Sequence, residues 1–355
     1  MTTPPVPSTR RRGHVGLVTL AHVIAVEVVL ATLLFVPGLP LWWIGGIMFA
    51  VLVVAFGFHR GQLWLVELAR WVRLRHRQRA DRHAEAEKLA PGPAPHLDTI
   101  NERGTSLGVA YDGTGWFAGL SVATDAPPHA VFAALTDLLR YQGNPITSVQ
   151  LVTHSVATTT PPRKSSWFIV RIDVRNAVPV AADRGGGAVG VHRALSGTVG
   201  RLMKGATRIG VGMQPLDAEE LRDALRFSLD GGFTTDEPVT ERWGAWRHGE
   251  LEQATFSWHG RPRDADTAEK FWQGTVSLPA DFCAFSIAVR PASDRPNEYR
   301  QMVSCLIRLA AEADTLEDIC QELSDLARKH HVRLRRCDGV QGPAAYASAI
   351  SGGLW

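Results

Sequence analysis

A glycine-rich stretch at residues 185–190 is the feature closest to a known ligand-binding motif. It reads Gly-Gly-Gly-Ala-Val-Gly and has the G-x-G-x-x-G spacing of loops that hold a dinucleotide pyrophosphate. Such a site needs its glycines directly after a strand and an acidic residue about 20 positions further on. Here the preceding predicted strand ends near Val174, and a loop of about ten residues intervenes. We therefore predict a flexible loop before a helix, and nucleotide binding remains an alternative that depends on this segment alone.

The other reactive side chains form no recognisable catalytic or metal-binding pattern. His330 and His331 are neighbours that point in different directions on a helix, and no cysteine or carboxylate stands at ligand spacing beside them. Asp264 and Asp266 lie in a polar loop. The four cysteines contain no C-x-x-C pair: Cys283, Cys305, Cys320 and Cys337. Neither a phosphate loop with its lysine nor a G-x-S-x-G elbow occurs, so we predict no catalytic residue, no cofactor and no metal.

Two apolar runs near the N-terminus dominate the hydropathy pattern. Residues 15–36 and 41–58 are each long enough to cross about 30 Å of hydrocarbon as a helix. Only the uncharged Pro37–Pro40 connection separates them, and no signal-peptide cleavage pattern follows the first run. The sequence therefore predicts a transmembrane hairpin over 15–58.

A few residues within these runs are candidates for helix packing and for anchoring. His22 and Glu27 interrupt the first run, and a buried polar side chain there is expected to hydrogen-bond a neighbouring helix. Gly45 and Gly46 would allow close helix approach. The tryptophans at the start of the second run, Trp42 and Trp43, are placed where indole rings favour the outer membrane interface.

Charge sets the predicted orientation. A basic N-terminus (1–14) precedes the first run, and an arginine-rich segment follows the second. The positive-inside rule then places both termini in the cytoplasm and the protein in the inner membrane as a multi-pass protein. The arginines expected to contact lipid headgroups are Arg60, Arg70, Arg73, Arg75, Arg77 and Arg79. A net charge of only +3 argues against nucleic-acid binding by the whole chain.

The basic segment and a proline-rich spacer (59–97) lead to a large domain over 98–355. Strand-like and helix-like patterns alternate there, beginning with a hairpin of strands at 106–111 and 115–122 around Asp112-Gly113. Further strands are predicted at 275–278, 283–289 and 302–310, and helices at 130–141, 218–229 and 316–330. A strand, strand, helix, strand pattern recurs weakly at 115–154 and at 283–336, as two related lobes would show. The predicted fold class is a membrane-anchored α+β protein, in which the hairpin carries a cytoplasmic domain with a mixed α/β sheet.

The chain resembles the EccE family of the type VII (ESX) secretion system of actinobacteria, including mycobacteria. The resemblance covers nearly the whole chain through the order and spacing of several loose motifs. These are Arg10–Arg12 before the apolar runs, the helix segment Trp71–Arg77, the stretch Trp243–Leu251 leading into Ala254–Gly260, and the ending Leu334–Ala347 with Gly352-Gly353.

The resemblance implies a structural role. EccE-like proteins lie at the periphery of an inner-membrane complex with EccB, EccC and EccD, and EccC supplies the ATPase. The resemblance brings no catalytic site with it, so the expected function is that of a non-enzymatic, stabilising subunit. Two alternatives remain from the residues themselves: a membrane-tethered enzyme using the 185–190 loop, and a lipid-binding adaptor using the arginine-rich helix.

Overall fold

The structure is a computed structural model of the chain. It describes residues 40, 42, 46, 49, 58–59, 62–81, 95–102, 105–123, 146–157, 163–230, 239–259, 265–291 and 301–352. The chain divides into two compact units, residues 1–77 and 78–355.

The first unit contains a short hairpin and most of a long basic helix. Strands β1 (Phe58–His59) and β2 (Gln62–Leu63) pair antiparallel, and helix α1 (Trp64–Asp81) follows directly. Residues 64–81 contain no proline or glycine, which favours a continuous helix. The Arg75 guanidinium lies 5.2 Å from the centre of the Trp71 ring, a cation–π contact on the exposed helix surface.

No helix in the described part of the chain is long and apolar enough to cross a membrane. The two longest of these helices, α1 with 18 residues and α3 (Gly187–Arg208) with 22, both carry several arginines, which hydrocarbon excludes. This finding overturns the predicted membrane-anchored fold class with its two-helix hairpin over 15–58. It also overturns the predicted multi-pass inner-membrane location. Almost all residues of the two apolar runs lie outside the described residues.

The second unit is built on one antiparallel sheet, in which twelve strands are described. Its strands are β3 (His96–Glu102), β4 (Thr105–Tyr111), β5 (Gly115–Val122), β6 (Ser148–Val156), β7 (Arg163–Asp173), β8 (Met213–Pro215), β9 (Thr240–Glu241), β10 (Trp246–His248), β11 (Leu251–His259), β12 (Phe282–Pro291), β13 (Gln301–Glu312) and β14 (Arg333–Arg336). The main order is β3-β4-β5-β7-β6-β12-β13-β11-β10-β9, with β8 beside β5 and β14 beside β11.

The helices of this unit connect and cover the strands. Besides α3 they are α2 (Val174–Ala182), α4 (Ala218–Asp230), α5 (Ala265–Thr275), α6 (Leu316–Lys329) and α7 (Gln341–Ser348).

Two lobes with the same strand order meet in the middle of the sheet. The first lobe has the order β8-β5-β7-β6 and the second β14-β11-β13-β12, so each is a split β-α-β arrangement in the order 4-1-3-2. The lobes join where β6 pairs antiparallel with β12, with Leu151 opposite Ile287. The structure does contain two lobes, over 115–215 and 251–336, but the repeat predicted from the sequence is wrong in detail. Its first segment, 115–154, contains the first two strands of one lobe, whereas its second, 283–336, contains the last three strands of the other.

The two faces of the sheet differ in chemistry. One face is apolar. In the first lobe it packs under α2 and α3, with Leu151, Phe168 and Val170 in the core, and in the second lobe under α5 and α6, with Phe285 and Ile307. The opposite face carries buried polar side chains between apolar ones and is covered by α4 and α7. The candidate site lies on this second face.

Several element predictions need correction. The domain was expected to have a mixed sheet, but all strand pairs described in it are antiparallel. The loop predicted after Val174 is helix α2, which contains Pro179. The polar stretch around Asp266 begins helix α5, and the strand predicted at 275–278 is the end of that helix and a turn. The helix predicted at 130–141 lies outside the described residues.

Candidate functional site

Arg171, on the central strand β7 of the first lobe, organises one end of the polar face. Its Nη1 and Nη2 atoms each donate to an Asp112 carboxylate oxygen at 2.9 Å, and its Nε donates to Asp173 at 3.0 Å. Asp112 is placed by the β4–β5 turn, where its Oδ1 also accepts from the amides of Thr114 and Gly115. The bidentate geometry is the strongest form of such a pair.

Both members of this pair are almost completely buried, with side chains 3% and 5% exposed. Burial by itself raises the pKa of Asp112, but the hydrogen bonds and charge of Arg171, together with those from Thr114, bring that pKa below its ordinary value. Burial and the Asp112 charge also raise the pKa of Tyr346, whose hydroxyl donates to Asp112 at 3.0 Å. The arginine and carboxylate are therefore both charged, and Tyr346 is neutral.

The end of the chain closes over this cluster. We call residues 341–352 the C-terminal segment. The Ser351 carbonyl accepts from Arg171 at 2.9 Å. Gln150 on β6 donates to the Ala347 carbonyl at 2.8 Å and accepts from the Gly352 amide at 2.8 Å. The same Gln150 amide also donates to Ser286 on β12 at 2.7 Å, so the C-terminal segment is fixed where the two lobes meet.

The start of the C-terminal segment is fixed to the second lobe. The Gln341 side chain accepts from the Thr255 amide at 2.8 Å, and the Gly342 amide donates to Glu241 at 2.9 Å. Just before it, the Gly339 amide donates to the Trp243 carbonyl at 2.7 Å. Two of the motifs behind the family resemblance, Trp243–Leu251 and Leu334–Ala347, are thus about 90 residues apart in sequence and in direct contact in the fold.

A second cluster holds the end of α4 on the second lobe. Arg308 on β13 donates to the Leu229 carbonyl at 3.0 Å, to the Ser228 carbonyl and to Gln253 at 2.6 Å. Gln253 donates to the same Leu229 carbonyl at 2.9 Å. A cation at the last carbonyls of a helix satisfies their hydrogen bonds and complements the helix dipole.

His154 on β6 lies beside this second cluster in an aromatic cage. Its Nε2 is 3.0 Å from the Ser228 hydroxyl, and its ring is 4.7 Å from that of Trp167 and 4.8 Å from that of Phe282. Burial and the nearby Arg308 charge hold the pKa of His154 well below its ordinary value. The imidazole is therefore neutral.

The Ser228–His154 contact has the distance of a nucleophile and a base but not their environment. Both side chains are completely buried, and His154 Nδ1 has no hydrogen-bond partner in the part of the chain that the structure describes. A triad needs an acid at that nitrogen. Burial also raises the pKa of the Cys283 thiol to about 12 and that of Cys320 to about 11, which leaves them poor nucleophiles. Among the described residues no cluster of potential metal ligands occurs.

The glycine-rich stretch is a turn between two helices. Helix α2 precedes it, and α3 begins at Gly187, with left-handed backbone at Gly185 and Gly186. Gly190 lets the helices touch, because a Cβ atom there would lie 2.5 Å from the Ala181 carbonyl oxygen. A dinucleotide loop follows a strand, so this geometry does not fit one.

The predicted membrane and lipid residues are only partly described. Trp42 is 68% exposed, and a Cβ atom at Gly46 would meet nothing within 4 Å. Arg70, Arg73, Arg75, Arg77 and Arg79 all lie on α1, and their contact with lipid headgroups stays a prediction. His22, Glu27, Gly45, Trp43 and Arg60 lie outside the described residues.

Sequence reasoning missed the buried polar residues of this face. Arg171 stands within Trp167–Ile172, an otherwise apolar strand-like run, and Arg308 within a similar run on β13. A single arginine in such a strand is the sequence signal for a buried polar cluster, because a charged side chain on a core strand needs a buried partner. The partners themselves cannot be read from the sequence.

Fold and site together define a two-lobed antiparallel-sheet protein whose buried arginines and amides hold distant chain segments in place. Residues 160–258 match the family model described as "Putative type VII ESX secretion system translocon, EccE". This match confirms the resemblance to EccE, and residues 160–258 are an EccE-family region extending from β7 to β11. No curated protein matches the chain.

Proposed function

We propose that this chain is a non-enzymatic structural subunit of the type VII secretion translocon. The EccE-family match is the observation that carries the proposal. It includes helices α2, α3 and α4, strands β7 to β10 and most of β11, whereas β6 and β12, which join the two lobes, lie outside it. EccB-, EccC- and EccD-like subunits are the proposed partners, with the ATPase supplied by the EccC-like one.

The polar network supports a structural role more than a catalytic one. Its arginine and amide side chains hydrogen-bond α4 and the C-terminal segment. The Ser228–His154 pair is completely buried. A rigid two-lobed sheet of this kind presents fixed helix surfaces to neighbouring subunits. The nucleotide-enzyme alternative loses its only support, because the 185–190 glycines form a helix–helix turn.

The test is purification of the intact complex from an actinobacterial cell that has a type VII system. A tag belongs at Met1 rather than Trp355, because the Gly352 amide and carbonyl are bound within the buried network. Co-purification of an FtsK-like ATPase and other secretion subunits is the expected result. Recovery of the chain alone across several mild solubilisation conditions would contradict the proposal.

A lipid-binding role for α1 is the second candidate. Its surface combines arginines with exposed Val66, Leu68 and Trp71, of which Trp71 is 47% exposed. Basic residues near an anionic surface contribute about 1 kcal/mol each at low salt. Binding of the full chain to phosphatidylserine vesicles should weaken with added salt and with Arg73→Gln and Arg75→Gln. Equal binding to neutral vesicles would contradict this role.

A further inference from the structure

Helices α3 and α6 occupy equivalent positions in the two lobes. α3 leads from the third strand of its lobe, β7, to the fourth, β8, and α6 leads from β13 to β14. Both pack on the same, apolar face of the sheet, because Leu151 and Ile287, which are paired between the lobes, point to that face. The two helices therefore offer comparable outer surfaces.

The charges of these equivalent surfaces are opposite. Residues 184–208 contain five basic side chains and no acidic one, whereas residues 309–327 contain six acidic side chains and no basic one. The acidic set, which we call the acidic face of α6, is Glu312 at the end of β13, Asp314 in the turn before α6, and Glu317, Asp318, Glu322 and Asp325 on α6. The last turn of α6 carries two exposed basic residues, Arg328 and Lys329.

Most of these charges are exposed and form no ion pair with the residues that the structure describes. Arg193, Arg201, Lys204 and Arg208 are exposed on α3, and none forms an ion pair with any described residue. In the acidic set, Glu317 pairs with Arg336 and Asp325 with Arg328. The remaining four acids have no ion pair in the described ranges.

The two surfaces are too far apart to neutralise each other in one molecule. α3 leads from β7 to β8, which lie on either side of β5, and α6 leads from β13 to β14, which lie on either side of β11. β5 and β11 are five strand positions apart. At about 4.8 Å per strand this is roughly 24 Å, well beyond the Debye length of about 8 Å at physiological salt. Another molecule can bring a complementary surface against each of these two charge sets.

We propose that copies of this chain associate head to tail, with the basic face of α3 in one copy against the acidic face of α6 in the next. The contact is heterologous, so each pair of copies keeps one unused basic surface and one unused acidic surface, and the association continues into a ring or a chain of copies. The exposed α3 face permits close approach, since a Cβ atom at Gly200 or Gly205 would meet nothing within 4 Å. Opposite charges steer the encounter and make it dependent on salt.

The test uses the purified full-length chain in sedimentation velocity over a concentration series. The wild type should associate at about 0.01 M salt and dissociate towards about 1 M, as the Debye length falls from about 30 Å to about 3 Å. Variant one carries Arg193→Gln, Arg201→Gln and Lys204→Gln, and variant two carries Glu312→Gln, Asp314→Asn and Glu322→Gln. Each variant alone should self-associate at least roughly tenfold more weakly.

Mixing the two variants is the decisive measurement. Variant one keeps the acidic α6 face and variant two keeps the basic α3 face, so the mixture should form a one-to-one dimer that does not extend further. A matched control, Arg222→Gln with Arg226→Gln on exposed α4 positions over the opposite face, should associate like the wild type. A monomeric wild type at low salt, an unchanged variant one or two, or a mixture that stays monomeric would each overturn the proposal. Head-to-tail contact can fail while the chain still co-purifies with secretion subunits, so the two proposals are tested separately.

Discussion

Arg171 on β7 and Asp112 in the β4–β5 turn form a buried bidentate ion pair, with both nitrogen–oxygen distances at 2.9 Å. The pair also fixes the end of the chain, through the Ser351 carbonyl on the arginine and the Tyr346 hydroxyl on the carboxylate. The pair therefore links a strand, a turn and the C-terminal segment to one another.

Removing the arginine alone should be strongly destabilising. Arg171→Met leaves the buried Asp112 carboxylate without its cation, and such a loss costs about 3–5 kcal/mol. Denaturant unfolding monitored by tryptophan fluorescence measures the change in the free energy of unfolding. The double variant Arg171→Met with Asp112→Leu should recover part of the loss, because no unpaired charge remains. Equal loss in the single and double variants would contradict an electrostatic cause.

The same carboxylate should contribute to acid unfolding. The pKa of Asp112 in the folded protein lies below its ordinary value of 3.8. A carboxyl group with a lowered folded pKa stabilises above its unfolded pKa, and this stability is lost as the pH falls through the folded pKa. The free energy of unfolding of the wild type should thus fall below about pH 4 more steeply than that of the double variant. Parallel pH profiles would exclude this contribution.

His154 should make the free energy of unfolding depend on pH in a higher range than Asp112 does. The pKa of His154 is well below its ordinary value of 6.5, so the unfolded chain binds a proton that the folded protein does not. Stability is fully present above about pH 6.5 and decreases as the pH falls below it. His154→Gln should flatten the pH dependence of unfolding between about pH 6.5 and 5. His192→Gln is the control, since its pKa is lowered while it is only partly buried, and its effect should be smaller.

Ser228→Ala distinguishes a structural from a catalytic use of the Ser228–His154 contact. Loss of one buried hydrogen bond costs about 1 kcal/mol. The Ser228→Ala variant should therefore still support secretion in a strain that depends on this chain. Its melting temperature should fall slightly. Arg308→Met serves as the comparison, because loss of the cap on α4 should reduce both stability and secretion. Abolished secretion with an unchanged melting temperature in Ser228→Ala would point to catalysis.

Two glycines of α3 give a matched pair of substitutions. Gly190→Ala places a Cβ atom 2.5 Å from the Ala181 backbone oxygen, so α2 and α3 must separate and the protein should lose stability. Gly200→Ala meets nothing within 4 Å and should gain about 1 kcal/mol from helix propensity. Thermal unfolding of both variants measures the difference. A destabilised Gly200→Ala would show that the exposed face of α3 has a further constraint.

Local patterns in the sequence determined many of the individual elements. The Asp112-Gly113 turn signal predicted β5 at its observed bounds, Gly115–Val122, and residue types common in strands placed β12 and β13 within a few residues. Helical spacing predicted α4 and α6 with similar accuracy. The motifs quoted for EccE were also sufficient to identify a family that the match over 160–258 confirms.

Hydropathy was less informative, because a long apolar run indicates that a segment avoids water but does not tell whether lipid or protein covers it. The transmembrane hairpin inferred from such runs is contradicted, because no helix in the described part of the chain is long and apolar enough to cross a membrane.

Only the tertiary structure decided which strands became neighbours and which polar residues met. The β6–β12 pairing joins the two lobes, and Gln150, Arg171, Arg308 and the C-terminal segment find their long-range partners across separations of 55 to 234 residues. Such contacts leave no periodic signal, because a hydrogen bond depends on atoms brought together by the whole fold. The physical reason is burial: an arginine or glutamine in a core strand is tolerated only where the completed sheet and the covering segments supply its hydrogen bonds.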